Sequence, residues 1–277
     1  MSLTESFELF EPFAPLDPFE PLRDSEIRRR LSTGVLWSLE EIHVFPELES
    51  TNAWALQHGV CGDVCLADQQ TAGRGRRGRE WQSPAGMNVY LSVRWCFKPV
   101  PEHLPLLSLV TGLAVADALE DCAIHGHGLK WPNDVYYDGK KLGGILLEAV
   151  GSLKDVVIGI GLNVNMLPES GAAIDQPWTS LQQIRGEPVE RHALIVAILQ
   201  RLIPRLKAFP RLDMAQFQQD WQRRDLLQGR EVLVQSGTET LQGLASGIDN
   251  RGQLKITLYD GSIKNLSSAD VSVRLGI

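Results

Sequence analysis

Four arginines within six residues, spaced by glycines, form the most distinctive chemical feature of the sequence. They belong to the run Gly73-Arg74-Gly75-Arg76-Arg77-Gly78-Arg79. Guanidinium groups offer a rigid fork of donors to phosphate and carboxylate, and glycines permit the close backbone approach that wrapping an anion requires. The run predicts an anion-binding loop, with a solvated basic loop or an RGG-like RNA-binding segment as the alternatives. It is not a Walker loop, because GxxxxGK[ST] is absent.

A second candidate site combines Lys130-Trp131-Pro132-Asn133-Asp134 with the run from Lys140 to Glu148 (KKLGGILLE). Adjacent residues of a strand face opposite sides, so only one of Lys140 and Lys141 can point into a site. Asn133 and Asp134 could hold a cation or a sugar hydroxyl beside a turn. The alternative is an ordinary Pro-Asn-Asp turn followed by a surface lysine pair.

A third candidate is the strand-like run from Gly159 to Asn165 (GIGLNVN). Its alternating glycines would leave one face of the strand open for a ligand. The alternative is a twisted core strand.

Hydrophobic periodicity and turn residues predict the elements that must position these groups. Helices are expected at 24–31, directly after an N-cap at Ser50 or Thr51, at 105–121, at 192–208 and at 213–224. Strands are expected at 41–45, 60–67, 87–95 and 156–164, and a hairpin turns at Asp138-Gly139 between 135–137 and 140–149. From Glu231 onward the pattern changes to short strands separated by turns, which is typical of a small β-barrel.

Composition and charge limit the function classes. The chain has 277 residues and 27 Lys+Arg against 34 Asp+Glu, a net charge of −7, which argues against general affinity for nucleic acid or anionic membranes. The N-terminus does not read as a signal peptide, and no apolar run is long enough to span a bilayer. The cysteines are predicted to be reduced, mostly buried thiols of a cytoplasmic protein; they are Cys61, Cys65, Cys96 and Cys122.

The division into domains follows from these patterns. Residues 1–35 are predicted to be an acidic, Pro/Phe-rich extension, whose first 22 residues are interpreted as a disordered or loosely docked tail, or as a docking peptide. Residues 36–228 are predicted to be the catalytic domain, and residues 229–277 the C-terminal barrel.

Taken together, the motifs resemble those of biotin protein ligases. GRGRRGR followed by Trp81, then KWPND, K-L-G-G-I-L and GIGLN stand in the order and spacing of that family. The resemblance implies an α+β fold with a mixed, largely antiparallel sheet backed by helices, similar to class II aminoacyl-tRNA synthetases, and a C-terminal SH3-like barrel. It also implies biotin, ATP and Mg²⁺ as ligands, biotinyl-5′-AMP as the intermediate, and a lysine of a biotin carboxyl carrier protein as acceptor.

The resemblance also implies residue roles. Lys141 and Arg76 are the expected catalytic residues. Biotin contacts are expected from Ser50, Thr51, Asn52, Gln70, Arg74, Gly75, Arg76 and Lys141. Nucleotide contacts are expected from Arg77, Arg79, Trp81, Asn133 and Asn163, with Trp81 stacking on adenine, and Asp134 is the expected metal contact.

Three alternatives remain open at this point. A lipoate-protein ligase shares the fold and chemistry, but a lipoate ring does not need the polar partners that Ser50, Thr51, Asn52 and Gln70 supply. A biotin-responsive transcriptional regulator would need a DNA-binding module, and only about 40 residues precede the ligase region, so a monofunctional ligase without specific DNA or membrane binding is expected. An RNA-binding protein conflicts with the acidic net charge. Whether the chain forms a homodimer stays open.

Overall fold

The computed structural model describes residues 17–151, 155–236, 239–267 and 271–275. Predicted features within 1–16, which carry most of the proline-rich tail, lie outside the described residues. The helices are α1 Asp24–Arg30, α2 Thr33–Leu36, α3 Thr51–Gln57, α4 Leu107–Asp121, α5 Leu181–Arg185, α6 Arg191–Ala208 and α7 Met214–Gln222. The strands are β1 Ile42–Leu48, β2 Val64–Gln70, β3 Val89–Cys96, β4 His127–Lys130, β5 Asp134–Tyr137, β6 Lys140–Val150, β7 Asp155–Leu162, β8 Glu231–Ser236, β9 Glu239–Ile248, β10 Leu254–Thr257, β11 Ile263–Leu266 and β12 Val271–Leu275.

The large sheet has seven strands in the order β1-β2-β3-β7-β6-β5-β4. Only β1 and β2 run parallel, and the other neighbours are antiparallel. Helix α3 covers one face, where Asn52 lies over Gly159, while α4 covers the other, where Gly112 approaches Ile145. Helix α6 packs on α4. The predicted mixed, largely antiparallel sheet backed by helices is confirmed.

The C-terminal strands form an antiparallel sheet of five strands in the order β11-β10-β9-β8-β12. This arrangement agrees with the predicted SH3-like unit, although the described strands form an open sheet rather than a closed barrel. The sheet reaches the catalytic domain through Trp131, whose Nε1 donates to the carbonyl oxygen of Gly252 at 2.9 Å. Gly252 lies in the turn before β10, and a Cβ there would approach Leu106 to 2.4 Å.

We expect Trp131→Phe to lower the free energy of unfolding by about 1–3 kcal/mol, because it leaves the Gly252 carbonyl without its donor and opens a space in the core. Trp131 is 2% exposed. Chemical denaturation measures the change, and Trp37→Phe is the matched control, since Trp37 is 84% exposed. Equal stability of the two variants would show that this contact does not help to hold the C-terminal sheet.

The first described residues are docked rather than loose. Arg191, whose side chain is fully buried, pairs with Asp68 at 2.7 Å and donates to the carbonyl oxygen of Glu20 at 2.8 Å. The same Asp68 carboxylate accepts from the backbone N–H of Leu22. At Glu20 and Leu22 the chain is therefore held by hydrogen bonds, so a disordered tail does not describe these two positions. A buried arginine needs several acceptors, and the docked backbone supplies one of them.

The cysteine prediction is wrong for one pair. Cys61 and Cys96 form a disulfide, with Cα atoms 5.6 Å apart. They meet because β2 and β3 are antiparallel neighbours, so the turn before β2 lies beside the end of β3. Cys65 and Cys122 are free, and burial raises the pKa of the Cys65 thiol to about 12. Disulfides are uncommon in cytosolic proteins. Because of this bond, the cysteines no longer support the predicted cytoplasmic location.

Among the helices that the structure describes, none has the length and apolar character to cross a membrane.

Candidate active site

The floor of the site is the α3-covered face of the three central strands β3, β7 and β6. Two cross-strand rows form it: Tyr90–Gly161–Gly144 and Ser92–Gly159–Leu146. A Cβ at Gly159 would lie 2.2 Å from Oδ1 of Asn52, and one at Gly161 would lie 2.8 Å from the Trp81 ring. Both glycines line the cavity, as the prediction of an open strand face requires, and a side chain at either position would collide with Asn52 or Trp81. The glycines make room for two protein side chains, of which Trp81 lines the site.

A polar cluster of Thr51, Asn52, Gln70 and Ser92 occupies one end of the site. Ser50 caps α3 by accepting from the backbone N–H of Ala53 at 3.4 Å, which places the next two residues over the sheet. Gln70 Oε1 accepts from the backbone N–H of Thr51 at 2.9 Å, and the hydroxyls of Ser92 and Thr51 are 2.8 Å apart. Sequence reasoning missed Ser92 as a site residue, although it stands on the polar side of the predicted alternation in β3.

Lys141 lines the site. Its Nζ is 2.8 Å from Oδ1 of Asp134 and 5.5 Å from the centre of the Trp81 ring. The hairpin turn has positive φ at Asp138 and Gly139, as a type I′ turn requires. Lys140, one residue before, is exposed, so the prediction that only one of the two lysines points inward is confirmed.

The metal prediction rests on Asp134 alone. Its carboxylate is paired with Lys141, and no group of three or more His, Cys, Asp or Glu side chains that could hold a metal ion occurs within the described ranges. Mg²⁺ in nucleotide sites is commonly held by one or two carboxylates together with substrate phosphates. A single carboxylate beside the site fits that arrangement, so the metal contact stays a prediction.

The arginine-rich loop lies along one side of the site. It contains one 3₁₀ turn, Arg76–Gly78, in which Arg77 and Gly78 have positive φ. Gly73 is required by close packing, since a Cβ there would lie 2.4 Å from the carbonyl oxygen of Trp81. Arg74 Nη1 is 3.8 Å from Glu148 Oε1.

Arg76 connects this loop to the turn between β4 and β5. Its Nη1 donates to Oδ1 of Asn133 at 3.1 Å. The side chain is half-buried, and this burial lowers the pKa of Arg76, with a smaller contribution from the neighbouring positive charge of Arg77. Arginine nevertheless stays protonated in proteins. The positive charge is therefore directed into the site, whereas Arg77 and Arg79 are exposed.

The two asparagines predicted to contact the nucleotide, Asn133 and Asn163, also hold neighbouring backbone segments in place. Asn133 Nδ2 donates to the carbonyl oxygen of Ile145 at 2.8 Å, and Asn163 Nδ2 donates to that of Thr179 at 3.1 Å. The second bond secures a wall formed by residues 173–178, whose Pro177 carbonyl oxygen accepts from the backbone N–H of Lys141 at 2.9 Å. Sequence reasoning missed this wall, because nothing in its local sequence indicates that it pairs with β6.

These parts surround one cavity of about 900 Å³, within the range of small-molecule and cofactor sites. Of the residues predicted for the site, Asn52 lies one layer behind the cavity, bonded to Ser92 and Glu148. The others line it: Ser50, Thr51, Gln70, Arg74, Gly75, Arg76, Arg77, Arg79, Trp81, Asn133, Asp134, Lys141 and Asn163. The arrangement joins a polar recognition end to a cationic end, which suits a ligand that carries both a hydrogen-bonding ring and an anion.

Comparison with known proteins agrees with this fold. Residues 44–165 match the Biotin/lipoate A/B protein ligase family, and residues 228–274 match the Biotin protein ligase C terminal domain. The chain is 35% identical over 239 residues to the bifunctional ligase/repressor BirA of Escherichia coli, covering 84% of this chain and 74% of that protein. It is 34% identical to the biotin–[acetyl-CoA-carboxylase] ligase of Mycobacterium tuberculosis, covering 83% of this chain and 88% of that one.

A solved structure gives the same result. The biotin protein ligase of Aquifex aeolicus in complex with biotin and ATP superimposes with a TM-score of 0.77 at 32% identity, covering 86% of this chain and all of that one. The fold and site thus define a member of the biotin/lipoate ligase class. Within that class, the chain belongs to the biotin protein ligase family.

Proposed function

We propose that the protein activates biotin with ATP and transfers it to a lysine of a biotin carboxyl carrier protein. The observation that carries this proposal is the cavity itself, with Thr51 and Gln70 at its polar end and Lys141, Arg74 and Arg76 at its cationic end. The carrier protein is proposed from the names of the relatives, and the location is proposed to be the cytoplasm, where ATP is available.

In the first step, an oxygen of the biotin carboxylate attacks the α-phosphorus of ATP, and the bond from that phosphorus to the bridging oxygen of pyrophosphate breaks. Both reactants are anions, so cations must offset their repulsion as the phosphorus becomes pentacovalent. Lys141 is placed for this role, since its Nζ already holds a carboxylate, Asp134, at 2.8 Å. Asp134 would hold Mg²⁺ together with the ATP phosphates, and the ion would supply additional positive charge there.

In the second step, the neutral ε-amine of the carrier lysine attacks the carbonyl carbon of biotinyl-5′-AMP. An amide bond forms, the bond between the acyl carbon and the phosphate oxygen breaks, AMP leaves, and the proton lost by the amine is released to water. The arginine-rich loop lies beside the cavity, where it can exclude water until the carrier arrives.

The polar cluster favours biotin over lipoate. A cyclic urea has two N–H donors and one carbonyl acceptor, all of which need partners once they leave water. Thr51 and Gln70 both face the cavity and can supply such partners, whereas a dithiolane ring has no N–H or carbonyl group to use them.

We expect ATP–pyrophosphate exchange that depends on biotin and Mg²⁺ and is faster with biotin than with lipoate or octanoate. The measurement is incorporation of labelled pyrophosphate into ATP, with each acid tested at equal concentration and a reaction without acid as control. Faster exchange with lipoate would place the protein among the lipoate ligases. A biotin-sized mass increase on a carrier domain then tests the transfer step.

A further inference from the structure

Glu148 connects the polar cluster to the arginine-rich loop. It lies on β6 two residues after Leu146, on the same face of the sheet. Its Oε2 accepts from Asn52 Nδ2 at 2.8 Å, and its Oε1 is 3.8 Å from Arg74 Nη1. The Glu148 side chain is 28% exposed, so one oxygen faces the buried cluster while the other faces the loop.

Asn52 has little freedom between its neighbours. It is 4% exposed and lies directly over Gly159, where even a Cβ would collide with its amide. Its Nδ2 faces Glu148 and, at 3.4 Å, the carbonyl oxygen of Leu146, while its Oδ1 accepts from the Ser92 hydroxyl at 2.6 Å. The amide is thus held with its donor toward β6 and its acceptor toward β3.

The direction of this arrangement follows from the chemistry of Glu148. An ionised carboxylate only accepts hydrogen bonds, so Asn52 must turn its NH₂ group toward it. The oxygen of Asn52 then takes the single hydroxyl proton of Ser92. Because that proton is used, Ser92 can bond Thr51, 2.8 Å away, only by accepting its hydroxyl proton.

Thr51 is the last residue in this series of hydrogen bonds, and it lines the cavity. With its proton directed at Ser92, the lone pairs of its hydroxyl oxygen remain available on the cavity side. The Thr51 hydroxyl also lies 3.2 Å from Gln70 Oε1, which accepts from the backbone N–H of Thr51 at 2.9 Å, but the Ser92 oxygen is the nearer acceptor at 2.8 Å. Thr51 therefore presents an acceptor, which suits an N–H donor of a ligand.

We propose that Glu148 is a positioning residue that fixes the direction of the hydrogen bonds from Asn52 through Ser92 to Thr51, so that Thr51 accepts from a urea N–H of the substrate. This inference rests on the proposed function. It explains how the hydrogen-bonding groups at the polar end of the cavity are oriented toward the substrate. It assigns Glu148 to substrate recognition although it does not line the cavity.

The first test replaces Glu148 in two ways and follows pyrophosphate exchange. Glu148→Met removes the acceptor at similar volume, and we expect the KM for biotin to rise about tenfold or more, the cost of one misdirected buried hydrogen bond. The KM for ATP and kcat at saturating biotin should change little. Glu148→Gln can still turn a carbonyl oxygen toward Asn52, so its KM for biotin should remain near that of the unmodified protein.

A double-mutant cycle tests the contact itself. Asn52→Asp places two carboxylates together and should raise the KM for biotin. Adding Glu148→Gln should restore most of the loss, because the introduced amide donates to one carboxylate oxygen while the other still accepts from Ser92. Glu41→Met is the matched control for loss of a glutamate, since Glu41 is exposed and outside the cavity.

The outcomes separate the inference from the proposed function. An unchanged KM for biotin in Glu148→Met, equal damage from Glu148→Met and Glu148→Gln, or no recovery in the double variant would each overturn the inference. If Glu148→Met does not fold, the double-mutant cycle decides. Absence of biotin-dependent exchange in the unmodified protein would instead overturn the proposed function.

Discussion

Replacing Lys141 with alanine is expected to lower the rate of biotin-dependent pyrophosphate exchange by about 10²-fold or more, the usual cost of losing a positioned charge at a reacting phosphoryl group. The Lys141 side chain is 13% exposed and its Nζ is 2.8 Å from Asp134. Water that fills the space left by the side chain is neutral and cannot supply the positive charge. The loss should therefore appear mainly in kcat.

Lys140→Ala is the matched control. The two lysines are adjacent, but Lys140 is exposed at the hairpin turn, so its removal should change the rate by less than about threefold, in line with the small effects of surface substitutions. Thermal unfolding of both variants checks that they fold. A Lys141→Ala protein that folds and retains most of its exchange rate would contradict the role proposed for this cation.

The second large effect is expected from Arg76→Gly, which should form biotinyl-AMP but release it. An acyl-adenylate is a reactive anhydride that must be kept from water and from stray amines. The bond from Arg76 Nη1 to Asn133 Oδ1 holds the loop against the turn between β4 and β5, and Lys141 remains in place for the chemical step. We therefore expect exchange to persist while retention fails.

The measurement is a streptavidin blot of albumin incubated with the variant, biotin and MgATP. Labelled albumin is expected with Arg76→Gly and not with Arg211→Gly, which removes an exposed arginine outside the cavity. Unlabelled albumin with intact exchange would mean that Arg76 does not retain the intermediate. Loss of exchange would assign Arg76 to the first step instead.

Local features of the site could be predicted from the sequence because local physics decides them. Asp138-Gly139 specifies a tight hairpin turn, and strand alternation then directs Lys141 inward and Lys140 outward. Ser50 caps α3 and places Thr51 over the sheet. The motif resemblance supplied the remaining residue roles, and all of the predicted residues except Asn52 line one cavity.

The sequence could not show what long-range pairing brings together. Ser92, Glu148 and Asn52 meet only because β3, β7 and β6 are neighbours in the sheet and Gly159 leaves room above it. Similarly, the position of Glu20 depends on its contact with Arg191, which is far away in the chain.

The sequence by itself determined the family, the inward lysine and the arginine-rich loop, since each depends on neighbouring residues or on a motif of fixed spacing. Only the tertiary structure decided which polar groups form hydrogen bonds with one another, and which group of each pair is the donor. These hydrogen bonds require atoms from α3 and from separate strands to lie within about 3 Å of one another. No single segment of the chain determines those distances. Glu148 is the clearest case, because its contacts with Asn52 and Arg74 exist only in the folded sheet.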